Sequence, residues 1–347
     1  GENEEQSVVA VFYNENESTK LVVRDEHGEP QEGVVFTFTD GSHYTQTNRD
    51  GEGILNTSAV DTFAQPSLGS NDFEPRVALV GKGEEVEFVM REESVGFSTM
   101  ELTFNVADFS TGKLNPFSNQ QIWEAMNWLV DRDHIAAIYD QDGKARPMYT
   151  VLHPDSFDDY DLKDTVDELV EKYRYNKEAA REVIDREMRN MGAELVDGRW
   201  YYNEEQVQLI FIIREEDQRR DIGNYIADEL EEIGFAVKRD YMNGQDAGPI
   251  WITDDPSNGK WHLYTGGWSG TVRGLQNSEL LRYYTPFLMQ GYPLWASYES
   301  EGELCDIALD IFESKFDSVE QRRQVFKRGL KLSMEYSVRI WLTWKEL

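Results

Sequence analysis

The residues best able to do chemistry in this chain are spaced in ways that spell no catalytic centre. Its five histidines stand at 27, 43, 134, 153 and 262, and no two share a helical face as a paired-histidine metal site of the His-x-x-Glu-His kind requires. Cys305 is the sole cysteine, so neither an intramolecular disulfide nor a cysteine-based metal cluster is available. Its neighbours Leu304, Ile307 and Ala308 predict a buried helical thiol, with no histidine close in sequence to activate it. Asp155, Asp158, Asp159, Asp161 and Asp164 crowd one stretch but lack the glycine placement of a calcium loop, and read as a solvated acidic face. Arg132, between Asp131 and Asp133, reads as part of a cap or ion pair at a helix end. No phosphate-binding glycine loop, nucleophile elbow or dinucleotide fingerprint is present. The expectation is a protein that is not an enzyme and uses neither cofactor nor metal.

Composition narrows the classes further. The 347 residues carry 66 acidic against 34 basic side chains, a formal net charge of -32. A phosphate backbone would be repelled at long range, which argues against a nucleic-acid partner. With 39% hydrophobic and 12% aromatic residues, the chain has enough apolar surface to build proper cores, and its length predicts two domains. No apolar run reaches the roughly 18 residues of a membrane span, and residues 1–6 lack a signal-peptide pattern. The expectation is a processed chain or an internal piece.

The elements that must position any site fall into two textures. Residues 7–13, 19–23, 33–39 and 86–90 are β-branched or aromatic, several in strict alternation, with turn chemistry at residues 25–28, 39–41 and 49–53. These predict an antiparallel sandwich over residues 1–95. The order of Val22 to Phe36, with Asp25, Gly28 and Pro30 at its turn, then Thr47 to Leu55, resembles bacterial Ig-like and carboxypeptidase-regulatory-like modules. That resemblance implies a spacer or adhesive module. Sequons at Asn16 and Asn56 suit a secreted surface.

From residue 96 to 347 the pattern turns to α/β. Residues 100–106 read as a strand, and Ser118 caps a helix running to about Asp140. Further helices are predicted over 161–173 and 176–191, the latter closed by Gly192. The apolar run 207–213, a helix over 217–233 stopped at Gly234 and a strand over 235–239 make a βαβ unit with a parallel pair. A strand over 261–265, a loop at Gly266 and Gly267, helices over 303–312 and 319–334, and a strand over 337–342 in need of a partner complete the list.

This order carries a resemblance. Leu102 to Val106, then Asn115-Pro116-Phe117 and a helix reaching Asp131-Arg132-Asp133, resembles a stretch of the extracellular solute-binding protein family 5, the receptors of dipeptide, oligopeptide and nickel ABC importers. Gly143, Ala145 and Pro147, the helix from Tyr175 to Ile184, Ile233-Gly234-Phe235, and Gly267-Trp268 follow as further landmarks in the family's order. The resemblance implies a periplasmic-binding-protein-like α/β lobe of type II, cluster C-like, incomplete relative to the family and preceded by the Ig-like sandwich. It also implies an extracellular or cell-surface, membrane-anchored protein whose partners are a small-molecule or peptide ligand and an ABC transporter permease.

The same resemblance implies a site in a cleft. Gly266, Gly267, Trp268 and Ser269 would form its floor, the glycines letting the backbone pair with an extended ligand and Trp268 supplying an aromatic face. The alternative is a tight turn with Trp268 in the core. Tyr264, Thr271 and Arg273 are further polar candidates, Arg273 for a ligand carboxylate. Peptide binders of the family hold an aspartate where Thr271 stands, so the usual anchor for an amino terminus is missing. A second function class stays open: a surface-structural or adhesive protein that reuses the lobe as a scaffold, with cell-surface assembly partners.

Overall fold

The computed structural model describes residues 18–39, 44–56, 61–92, 94–154, 156–272, 274–287, 292–298, 302–314 and 316–347. The expected strand at 7–13, the Asp40-Gly41 turn, and parts of both sequons lie outside them. Two compact units emerge, Gly1–Ser94 with Ser314–Arg322, and Val95–Glu313 with Arg323–Leu347.

The first unit is built of strands: β1 (Ser18–Asp25), β2 (Val35–Phe38), β3 (Tyr44–Gln46), β4 (Glu52–Asn56), β5 (Thr62–Ser67), β6 (Asp72–Glu74), β7 (Ala78–Val80) and β8 (Glu85–Arg91). They form two four-stranded sheets, β4-β1-β8-β6 and β3-β2-β5-β7. Alternation explains the layering: Leu21 and Val23 of β1, Phe36 and Phe38 of β2, and Phe88 and Met90 of β8 point into one shared core. The rings of Phe36 and Phe88 meet edge-on at 5.1 Å. One expectation is corrected. β1 and β8 run parallel, from Lys20 opposite Glu85 to Asp25 opposite Met90, so the unit is not purely antiparallel. All the strands between them serve as the connection, which frees the pair from the reversal a hairpin imposes.

The second unit centres on a six-stranded sheet in the order β10-β17-β9-β16-β14-β15. Its elements are β9 (Gly96–Phe104), α1 (Gln120–Leu129), α2 (Arg132–Tyr139), β10 (Arg146–Pro147), α3 (Phe157–Asp161), α4 (Lys163–Lys172), α5 (Lys177–Asn190), β11 (Glu194–Val196), β12 (Arg199–Tyr202), β13 (Glu205–Gln206), β14 (Gln208–Arg214), α6 (Arg219–Glu232), β15 (Ala236–Met242), α7 (Gly244–Trp251), β16 (Leu263–Thr271), α8 (Glu279–Tyr284), α9 (Leu294–Ser297), α10 (Gly302–Glu313), α11 (Val319–Glu335) and β17 (Arg339–Glu346). The βαβ unit is present: β14 and β15 pair in parallel over their full lengths, with α6 between them. Gly223 lets α6 lie close on β14, since a Cβ there would come within 2.6 Å of Ile213. The terminal strand β17 finds its partner in β9, antiparallel.

Four expectations need correction here. The helix expected over 118–140 is two helices, because Asp131 caps α2 by accepting from the N–H groups of Asp133 and His134, and Val130 is extended. Asn119, not Ser118, caps α1. The acidic helix expected over 161–173 is α4, and the short helix α3 precedes it, with Leu162 between them. Cys305 sits on α10 as expected but is half-buried rather than enclosed. Arg132 is buried, and no carboxylate among the described residues pairs with it. Its guanidinium donates to the carbonyls of Met148, Trp341 and Asn127 and to Asn127 Oδ1, at 2.6 to 3.1 Å, and burial lowers its pKa to about 10.

Candidate functional site

β16 carries the expected site residues, and its geometry revises their roles. Gly266 and Gly267 are not a loop. They lie inside β16, paired with Glu101 and Met100 of β9, and the strand stays paired with β9 as far as Thr271. On the other side β14 reaches only Leu263 and Tyr264. A Cβ on Gly266 would fall 2.5 Å from Glu101 Oε1, so this glycine makes room for a buried carboxylate. Glu101 is held by Arg339, whose Nη1 donates to both of its oxygens at 2.8 and 2.9 Å, and by the Thr103 hydroxyl at 3.1 Å. The third donor is the indole N–H of Trp268, at 3.1 Å.

With its N–H anchored, the half-buried indole of Trp268 lines a cavity of about 260 Å³. Ser269, Gly270 and Thr271 continue that wall, while Leu275, Ser278, Glu279 and Tyr283 close it from the segment leading into α8. The Tyr283 ring meets Trp268 edge-on at 5.1 Å, and the Arg339 guanidinium lies beyond both rings. Phe97 and His153 form the remaining aromatic side, their rings 4.1 Å apart. Burial holds His153 neutral, with its pKa lowered to about 4. Behind it Gln276 is fixed on three sides: its side-chain oxygen accepts from the His153 N–H at 3.0 Å, its own N–H donates to Asp158 at 2.6 Å, and its amide donates to Ser156 at 2.6 Å.

Glu279 is the cavity's one carboxylate. Burial raises its pKa, and the Ser278 hydroxyl, donating at 2.9 Å, and the charge of Arg282 on the same cavity oppose that rise. No ion-pair partner meets it among the described residues. Arg282, on the same helix and the same cavity, is the cation nearest it in effect, and a ligand ammonium or guanidinium group seated against the two aromatic faces would share the carboxylate with it.

Of the expected site residues, Trp268, Ser269 and Thr271 line this cavity, and Tyr264, Gly266 and Gly267 do not. Tyr264 is buried, stacked on Trp251 at 4.3 Å, and accepts from Arg214 at 2.9 Å. Arg273 lies outside the described residues. Phe97, His153, Gln276, Glu279 and Tyr283 had no signal of their own. Glu279 and Tyr283 are four apart on one face of α8, a helix too short for its periodicity to declare itself.

The model of the family described as bacterial extracellular solute-binding proteins, family 5 Middle, matches residues 27–283. A search of curated proteins returns no match. Among solved structures, a periplasmic oligopeptide-binding protein of an oligopeptide ABC transporter from Thermotoga maritima superposes with a TM-score of 0.55 at 14% identity, over 88% of this chain and 62% of that one. An oligopeptide-binding protein from Bacillus subtilis in complex with a nonapeptide gives 0.53 at 12% identity, over 87% and 62%. A Campylobacter jejuni protein in complex with nickel and L-histidine gives 0.52 at 12% identity, over 84% and 59%. The chain thus spans about three fifths of the length of the structures it matches. At such identities the likeness is one of fold.

Proposed function

Since this chain belongs to the bacterial extracellular solute-binding proteins, family 5, we propose that it is part of a receptor that captures a small solute outside the cell and delivers it to an ABC importer's permease. The solute is a short peptide or similar molecule that presents a cationic group. What supports this reading is the placing of Glu279, which makes no ion pair among the described residues although Arg282 shares its cavity, beside the anchored indole of Trp268. Glu279 then does the work for which Thr271 has no charge. The cavity, at about 260 Å³, suits one residue of a peptide rather than a whole oligomer.

The β-rich unit supports two readings. Two sheets about one core favour an Ig-like spacer, residues 1–95, joined to a lobe over 96–347. A family match that begins at residue 27, and superpositions that cover more of the chain than the second unit holds, favour a lobe native to this family. A membrane anchor in the full protein accords with the delivery role.

A thermal-shift screen against dipeptides, sugars and nickel complexes tests the proposal. A ligand at about a hundred times its dissociation constant adds roughly 2.7 kcal/mol. Amine-bearing dipeptides should raise the melting temperature of the wild type, and Trp268→Ala and Glu279→Gln should abolish the rise. A response to sugars or nickel complexes alone would refute the cationic solute, and silence across all three classes would remove the receptor reading.

A further inference from the structure

A second cavity, of about 360 Å³, lies at the opposite end of β16 from the one just described. His262, immediately before the strand, lines it, and Trp268 is six residues further on, about 20 Å along an extended strand. The two cavities share no lining residue.

His262 is 3% exposed. Its Nδ1 accepts the Ile210 N–H at 2.9 Å, so the neutral ring carries its proton on Nε2. That Nε2 is buried and has no hydrogen-bond partner among the described residues. Burial is the main cause that lowers the pKa of His262 to about 3, with the nearby charge of Lys113 adding to it, and the imidazole stays a neutral donor across the physiological range. Lys113, on the same cavity, has no ion-pair partner among the described residues, although the chain has 66 acidic side chains against 34 basic ones. In so acidic a protein, an unpaired cation beside an unpaired buried donor marks a place that accepts an anion.

The rest of the lining limits what the anion is. Phe109, Leu114 and Ile210 supply apolar surface. The Phe109 ring meets the imidazole edge-on at 4.9 Å, and approaches so closely only because position 259 is glycine, at φ +68, where a Cβ would lie 3.0 Å from that ring. Glu205 on the rim adds a negative charge that disfavours a dianion. We propose that this cavity is a second ligand site, for a small monocarboxylate with an apolar body, its carboxylate accepting from His262 Nε2 and paired with Lys113.

The test uses the full chain, sodium benzoate as probe and benzamide as its neutral isostere, read by NMR at the His262 imidazole and the Trp268 indole. Benzoate should shift the His262 Nε2–H resonance saturably and leave the Trp268 indole in place. Lys113→Met, at an exposed side chain, should weaken that binding about tenfold, and benzamide should bind the wild type comparably weakly. The proposal is overturned if benzoate leaves the His262 proton unmoved, if benzamide and benzoate shift it alike, if Lys113→Met has no effect, or if the response appears at Trp268 instead. Because the readouts sit in separate cavities, failure here leaves the solute-receptor reading untouched.

Discussion

The carboxylate of Glu101 accepts the indole N–H of Trp268 at 3.1 Å while Arg339 grips it at 2.8 and 2.9 Å. The aromatic wall of the candidate site is therefore set by a buried ion pair on the neighbouring strands. Breaking a buried pair by removing one partner leaves an uncompensated charge, at a cost of about 3–5 kcal/mol. Glu101→Leu and Arg339→Met should each lose stability of that order in urea unfolding, whereas the double variant should recover most of it. Additive losses would show that the pair does not act as a unit.

Gly266 depends on the same carboxylate. Gly266→Ala places its Cβ 2.5 Å from Glu101 Oε1, which Arg339 prevents from moving away. A loss of about 1–3 kcal/mol is expected. In a Glu101→Ala background the same substitution should cost far less, a coupling that a double-mutant cycle measures directly.

Acid should weaken the fold before the carboxylates titrate. Burial lowers His153 to about 4 and His262 to about 3, against 6.5 for a free imidazole. Between those values the unfolded chain binds protons that the folded chain excludes, so stability is full above about pH 6.5 and falls as the pH drops toward 4. The loss is on the order of a few kcal/mol. His153→Phe should flatten part of this slope in denaturation series run from pH 7 to 4.5, and an unchanged slope would refute the assignment.

Ligand capture by Glu279 should itself depend on pH. Burial raises its pKa against the opposing pull of the Ser278 hydroxyl and the Arg282 charge, so on acidification it loses its charge sooner than a free carboxylate does. Affinity for a cationic dipeptide should fall as pH is lowered through that range, and Glu279→Gln should remove both the affinity and its pH dependence. Calorimetric titrations at several pH values decide the matter.

The break between α1 and α2 rests on Asp131, whose Oδ1 accepts from Asp133 and His134 at 3.0 and 3.1 Å. Asp131→Ala should cost about 1 kcal/mol. Asp131→Asn, which keeps the acceptor, should cost much less.

The sequence announces elements more clearly than it announces what meets across them. The apolar run at β14, Gly234 at the end of α6 and the stripe of α5 are legible because each signal is local. Asp131 was legible as part of a cap at a helix end but not as the start of a second helix, since the apolar stripe continues past it through Ile135. The hairpin of β11 and β12 had its turn signal in Asp197-Gly198, with Asp197 at φ 49 and Gly198 at φ 76, yet strands of three and four residues show little alternation. Two glycines before a tryptophan look like a loop in one dimension. Only the register with β9 reveals that Gly266 sits opposite a glutamate whose side chain needs the space. Glu279 and His153 join Trp268 through folding alone, being far from it or unmarked in the chain.

The sheet's interior strand β9 takes β17, the last strand of the chain, as one of its two neighbours. Glu101 and Arg339 lie 238 positions apart. During synthesis β9 must therefore wait, one flank open, until β17 has followed it out of the ribosome, and only then can the arginine neutralise the glutamate and fix the indole. A growing chain should therefore acquire its local helices before the orientation of Trp268, which waits on a partner strand made long after β9.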